Sequence, residues 1–291
     1  MHGSKIAFLT DKATAPEYEN LDSEHGKIMA YLKEKGFQPS CQIWDDEKID
    51  WLGFDVLIMK TTWDYHHRLV EFNAWLNKLE KIGAYVLNPI DVLRWNSDKI
   101  YLKELEENGA RIANTIWLGQ GENFDVNRLF AELNTEKIII KPRVSASANH
   151  TYALTQEEAH QKKEEIEGLL RTENLMAQSF LKEIQTEGEW SLLFFDGKFS
   201  HSLMKVPKAD DFRVQSHHGG SVKAVEVPSH LVKTAQSIVD NHTKGCLYAR
   251  VDGVEVDGQF VLMELELIEP YFFINQSNFS NISIPKSKSP S

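Results

Sequence analysis

Two cysteines, Cys41 and Cys246, are all that 291 residues contain. They stand in unrelated contexts, so neither a disulfide framework nor a thiolate zinc site is indicated. No apolar run approaches the roughly 18 residues that a membrane-spanning helix needs, and the N-terminus has no signal-peptide hydrophobic stretch. The expected setting is the cytoplasm. Basic residues are outnumbered: 32 Lys and Arg against 43 Asp and Glu leave a net charge of −11. An acidic surface argues against nucleic acid as the main partner, because phosphate backbones bind basic patches. It leaves room for a local basic pocket. Phosphate signatures are missing too. There is no G-x-x-x-x-G-K-[ST], no G-x-G-x-x-G, and neither H-R-D nor D-F-G, which argues against the P-loop and protein-kinase classes.

The chain does contain alternation. "KIAFLT" (5–10) reads as a buried strand, and a helix from about Ser23 to Lys35 is closed by Gly36. "FDVLIM" (54–59) is a second apolar strand; a helix around Leu69–Ile82 is followed by Gly83, then by the strand "AYVLN" and Pro89. Strand–helix–strand order predicts a parallel α/β unit, whose ligands collect at the carboxyl ends of its strands. Those ends carry Asp11 and the run Thr61-Thr62-Trp63-Asp64-Tyr65.

The pattern then changes. A capped helix is expected from Ser97 to near Gly109, followed by the strand "EKIIIKP" (136–142) and a loop of small residues containing Ser145 and Ser147. A charged helix over about Thr155–Arg171 and the strand "NLMAQSFL" (174–181) complete a compact α+β unit. A β-rich stretch with an Asp196-Gly197 hairpin turn follows, then the polar loop "DDFRVQSHHGGS", a helix from Pro228 to about Lys244, a hairpin, and a polar tail. The expected domain boundaries are 1–96, 97–182 and 183–291.

The last hairpin carries chemistry. In "LMELELIEP" (262–270) the alternation puts Met263, Leu265 and Leu267 on one face and Glu264 and Glu266 on the other. Like charges ~7 Å apart on a strand are mildly unfavourable unless something lies between them. Upstream lies "YARVDGVEVDGQFV". A three-residue loop with Gly258 left-handed places Asp252 opposite Leu262 and Arg250 opposite Glu264, gathering three carboxylates and a guanidinium on one face. A two-residue turn instead sets Asp252 opposite Met263, on the wrong face. Oxygen-only ligands of this kind suit Mg²⁺ together with phosphate oxygens. Lys141, ending an apolar strand, offers a rigidly anchored charge, and the loop after it offers free backbone N–H groups for phosphate.

In order, the chain presents Lys99 in "SDK", Lys141 in "IIIKP", the small-residue loop, "AQSFLKEIQTEGEWS", Arg213 in "DFRVQSHHGGS", and "ARVDGV…LMELELIEP". This succession resembles the ATP-grasp superfamily from about Ser97 to Pro270. "ARVD" with "MELE" is similar to the D-alanine–D-alanine ligase signature, and "DFRVQSHHGG" to the bacterial glutathione-synthetase branch. Together with "TTWDY" and "ELELIEP" the combination is most similar to the small synthetase group containing the D-cycloserine-forming enzyme.

The resemblance implies an α/β and α+β architecture, the ATP-grasp fold: an N-terminal Rossmann-like parallel α/β domain, a small α+β lid and a central β-rich α+β domain. It implies that Lys99 and Lys141 contact ATP phosphates, and that the backbone of Gln178, Ser179, Phe180 and Leu181 reads adenine. Glu183 or Glu189 then holds the ribose. Arg213 and Arg250 face the γ-phosphate, and Asp252, Glu264 and Glu266 bind two Mg²⁺ ions, with Mn²⁺ as a substitute. Asp11, Trp63, Asp64, Tyr65, His218, Gly219 and Glu269 are candidates for the substrate pocket. The implied reaction activates a small amino-acid-like carboxylate as an acyl phosphate, which an amine then attacks, between two molecules or within one. A non-catalytic ATP-binding regulator and a ligase acting on a protein or peptide tail are the alternatives. A homodimer is the default expectation for an oligomer. Two departures stand out: the lid loop has no glycine between Val144 and Tyr152, and Glu266 occupies a position where asparagine is common.

Overall fold

The computed structural model describes residues 3–146, 148–208 and 220–274. The N-terminal sheet is parallel, in the order β2-β1-β3-β4, from β1 (Lys5–Thr10), β2 (Gln38–Ile43), β3 (Val56–Thr61) and β4 (Val86–Leu87). Crossover helices α1 (Glu24–Glu34) and α2 (Leu69–Ile82) connect the strands. Ser23 caps α1 by accepting from the Gly26 amide at 2.9 Å, and α2 stops at Gly83, whose φ of 72° is readily adopted only by glycine. Phe72, Trp75, Leu76 and Leu79 form one face of α2 and bury against Trp44, Trp51, Ala7, Leu9, Leu57 and Met59. The sequence reading missed β2, which is an edge strand with a proline and four polar or small positions.

Two short helices, α3 (Ile90–Asn96) and α4 (Tyr101–Glu107), replace the single expected helix from Ser97. Ser97 closes α3, and the Asp98 carboxylate accepts from the Ile100 amide at 2.9 Å to start the next turn. The second sheet is antiparallel, in the order β5-β8-β6-β7. Its elements are β5 (Thr115–Leu118), α5 (Val126–Leu133), β6 (Lys137–Pro142), β7 (Tyr152–Thr155), α6 (Gln156–Gln161), α7 (Lys163–Leu170) and β8 (Leu175–Ser179). The charged helix is thus two helices that break at Lys162, and its Thr155–Glu158 capping box is present.

After α8 (Glu183–Thr186) comes the third sheet: β9 (Glu189–Phe195), β10 (Lys198–Val206), β11 (Ser221–Ala224), β12 (Tyr248–Val256) and β13 (Gln259–Glu266). Its order is β11-β10-β9-β12-β13, all antiparallel, and α9 (Ser229–His242) packs Leu231, Ala235, Ile238 and Val239 into the core beneath it.

The first and third sheets share a core, in which Ile6, Phe8 and Ile58 meet Leu193, Leu203, Tyr248 and Phe272. Two buried asparagines then fix the end of β13. Asn88 donates to Leu267 O at 2.8 Å and to Tyr248 O at 3.0 Å, and accepts from Leu247 N at 2.7 Å. Asn96 donates to Leu265 O at 2.7 Å and accepts from Leu267 N at 2.9 Å. Each amide therefore bridges strand backbone that would otherwise be buried without partners.

Candidate active site

The β12–β13 hairpin turns on two residues, Asp257 and Gly258, with φ of 52° and 73°, and pairs Val256 with Gln259. The three-residue loop expected from the sequence is not formed. A bulge between Asp252 and Gly253 makes Met263 the extra residue, so Asp252 lies opposite Glu264 and Arg250 opposite Glu266. The four charged groups still share one face, in a different register from the one expected. Met263 also leaves the company of Leu265 and Leu267: it packs with Val254 and Val261, whereas Leu262, Leu265 and Leu267 enter the main core.

One oxygen from each of Asp252, Glu264 and Glu266 lies within 4.8 Å of the others. Arg250 Nη2 reaches Asp252 at 2.9 Å and also contacts Glu266. Lys205, on β10, sits 2.9 Å from Glu189 and 3.2 Å from Asp252, and Ser191 Oγ donates to Asp252 at 2.5 Å. Lys99 donates to Ser145 O at 2.6 Å and lies 3.2 Å from Glu264. Burial alone would raise the Asp252 carboxyl, but Arg250 and Lys205 hold it down at about 2. Burial also opposes ionisation of Glu264, and Lys99 and Lys141 reverse it to a net lowering. Glu266 goes the other way, pushed up to about 7 by burial and by its two acidic neighbours against the pull of Arg250. Burial brings the Lys141 ammonium down to about 8. Three clustered oxygen donors with unequal proton affinity suit a hard divalent cation, which would relieve their mutual repulsion.

These groups line a cleft of about 720 Å³ between the sheets. Lys99, Lys141, Ser145, Gln178, Ser179, Leu181 and Glu189 line it together with the hairpin face, and so do Trp63, Tyr65 and Glu269. Phe180 and Glu183 are not among the lining residues; the Phe180 ring lies 4.9 Å from the Lys137 ammonium. Asp11 and Asp64 do not line the cleft either. Asp11 accepts from the Thr14 amide at 2.7 Å, and Asp64 holds the Trp44 indole at 2.7 Å and Arg68 at 3.2 Å. Ser147, Arg213, His218 and Gly219 lie outside the described residues. The sequence reading missed Lys205 and Tyr271, both of which line the cleft. Lys205 was signalled by period two, since in "SHSLMKV" it shares the buried face with Leu203.

The family described as "Prokaryotic glutathione synthetase, ATP-grasp domain" matches residues 100–274, and "D-cycloserine synthetase DcsG, N-terminal domain" matches residues 6–88. The cycloserine biosynthesis protein DcsG of Streptomyces lavendulae is 23% identical over 281 residues, covering 91% of each chain. The crystal structure of D-cycloserine synthetase DcsG superposes with a TM-score of 0.81 at 22% identity over 94% of each chain. The D-alanine–D-alanine ligase of Bacillus anthracis, complexed with ATP, superposes with a TM-score of 0.67 at 17% identity over 91% of this chain and 87% of that one. The chain belongs to the prokaryotic glutathione synthetase ATP-grasp family, and it is an ATP-grasp carbon–nitrogen ligase.

Proposed function

We propose that the protein joins a small amino-acid-like carboxylate to an amine at the expense of ATP, through an acyl phosphate. The observation that carries this reading is the hairpin register. It sets Asp252 against Glu264 and Arg250 against Glu266, on a face that shares one cleft with Lys99, Lys141 and Lys205. Phosphoryl transfer needs charge neutralisation and positioning more than covalent help from the protein, and this cleft offers four cations on four separate elements or loops.

In this reading Lys99 and Lys141 hold the triphosphate, and the Gln178–Leu181 backbone receives the adenine. Glu189 faces the nucleotide, while Arg250, with Lys205, faces the transferred group. Asp252, Glu264 and Glu266 would hold Mg²⁺, as two ions in the fuller form of the proposal. Bound there, Mg²⁺ would neutralise phosphate charge as the transfer proceeds. The substrate carboxylate oxygen attacks the γ-phosphorus and ADP leaves. The amine nitrogen then attacks the acyl carbon, phosphate leaves, and the nitrogen loses its proton. Arg250 would stabilise the oxyanion formed in that second step. The names of the D-cycloserine synthetase and D-alanine–D-alanine ligase relatives support a small substrate over a protein tail. Lys99, Lys141, Arg250, Asp252 and Glu264 are all present, which supports catalysis over mere nucleotide binding.

The test is Mg²⁺-dependent release of ADP and phosphate against a panel of amino acids and short peptides, singly and in pairs. Release that requires one particular carboxylate is expected. Silence across the panel with ATP still bound would turn the reading toward a non-catalytic or tail-modifying protein.

A further inference from the structure

Glu24, buried at the start of α1, accepts from two backbone amides: Phe272 N at 2.8 Å and Ile274 N at 3.1 Å, one on each carboxylate oxygen. Backbone that folds its amides around an anion in this way turns the residue between them left-handed, and Phe273 has a φ of 55°. A bulky side chain rarely adopts that region, and the conformation persists only where its surroundings impose it. Three further bonds hold the same stretch. Lys60 Nζ donates to Pro270 O at 2.8 Å, Arg250 Nη1 to Tyr271 O at 3.4 Å, and Trp63 Nε1 to Glu269 O at 3.3 Å. The Phe273 side chain is therefore aimed by its backbone.

Its ring lines the cleft at Arg250 and Lys205. The Arg250 guanidinium and the Lys205 ammonium both lie over its face, each 5.8 Å from the ring centre, and the Tyr271 ring meets it in a T-shaped pair with centres 5.1 Å apart. Both cations are buried. An aromatic face satisfies buried cations without bringing an anion that would compete with phosphate, and without a polar atom that would hold a water. A carboxylate or an amide in its place would do one or the other.

We propose that Phe273 keeps water from the acyl phosphate, so that this intermediate is left for the amine. The inference rests on the ligase reading and adds to it the choice of nucleophile. An acyl phosphate held at Arg250 and Lys205 is open to any nucleophile that reaches its carbonyl carbon, and water is both smaller and more abundant than the amine. In that side reaction the water oxygen bonds to the acyl carbon, the bond from that carbon to the phosphate oxygen breaks, phosphate leaves and a proton passes to solvent. The carboxylate is regenerated, and one ATP has been hydrolysed without an amide. An apolar ring fixed beside both cations removes the space and the hydrogen-bond partners that such a water needs.

The experiment compares the full-length protein with Phe273→Ala and Phe273→Leu, using a carboxylate and an amine, in one molecule or two, that support ADP release by the wild type. ADP and amide are counted in the same reaction, run in water enriched in heavy oxygen. The wild type should release close to one ADP for each amide. Phe273→Ala should release roughly three- to tenfold more ADP per amide, with heavy oxygen in the recovered carboxylate, where attack on the acyl carbon puts it. Phe273→Leu, which keeps apolar contact and part of the ring's volume, should fall between the two. A purely structural role would lower ADP and amide together and leave their ratio alone. An unchanged ratio in whichever variant is active overturns the inference and leaves the ligase reading standing. So does heavy oxygen found only in phosphate, which marks attack of water on phosphorus. Loss of all activity in both variants overturns it too, because the ring would then be needed for folding or for turnover itself. No ADP release from the wild type with any carboxylate overturns the ligase reading, and this inference with it.

Discussion

Glu24 and Lys60 form an ion pair at 2.9 Å in which neither side chain is accessible to solvent. Glu24 begins α1 and Lys60 lies near the carboxyl end of β3, yet among the described residues their other side-chain hydrogen bonds go to the segment after β13. The pair is therefore a joint between the N-terminal sheet and the strand that carries Glu264 and Glu266. The Phe272 ring, 3.9 Å from the ammonium, closes it off from water.

Removing one partner strands the other. Lys60→Met should destabilise the protein by about 3–5 kcal/mol, and Glu24→Gln by a similar amount, because each leaves an uncompensated buried charge. The double variant should lose less than the sum. Urea unfolding midpoints for the four proteins test this, and strict additivity would show that the pair is not coupled.

Glu264 is the cleanest of the three carboxylates to test as a metal ligand, since Asp252 also holds Arg250, Lys205 and Ser191. Glu264→Gln should lower Mg²⁺-dependent ADP release by at least about 100-fold while the melting temperature stays within a few degrees. An unchanged rate with an unchanged Mg²⁺ requirement would remove Glu264 from the site.

Much of this was legible in the sequence where one physical rule acts alone. The apolar spacing and closing glycine of α2 mark Leu69–Ile82 at both ends, and the alternation in β13 points its glutamates away from the main core. Expectation and structure part where two rules compete. The carboxylates of Asp11 and Asp64 stand near the ends of strands, where ligands collect, and a short acidic side chain there can also satisfy a turn amide or an indole, as these two do. The helix α5 repeats apolar residues at Val126, Leu129, Phe130 and Leu133, but at only two turns its period is too short to stand out in the sequence. The bulge at Met263 has no local signature at all. It follows from how closely β13 approaches Gly253, a tertiary fact.

That approach yields its own prediction. A Cβ on Gly253 would lie 2.5 Å from both the Phe260 ring and Val261 O, and the carbonyl cannot retreat without breaking the ladder. Gly253→Ala should cost about 1–3 kcal/mol and shift its neighbour Asp252, so ADP release should fall together with the urea midpoint. Stability at the wild-type level would mean the hairpin has slack that its geometry does not show.

His25 supplies the pH dependence. It is 1% exposed, stacked on Tyr18 with ring centres 5.0 Å apart, and meets the edges of Trp63 and Tyr271. Among the described residues neither ring nitrogen has a hydrogen-bond partner, and the half-exposed Glu17 carboxylate is 3.7 Å away. Burial, with Lys60 adding to it, lowers the imidazole from 6.5 to about 3. Between those values the unfolded chain binds a proton that the folded one refuses, so stability falls as pH drops through that window and is unaffected above it. At pH 4.5, two units below the unfolded value, the loss from this group alone is about 2.7 kcal/mol. Carboxylates elsewhere in the chain take up protons over part of the same range, so the informative quantity is the difference between proteins. His25→Phe keeps the aromatic stack and removes the proton site. Its stability should fall less than that of the wild type between pH 7.5 and 4.5 by about that amount, measured by urea unfolding at both pH values. Parallel losses in the two proteins would mean that His25 takes up its proton without unfolding the chain.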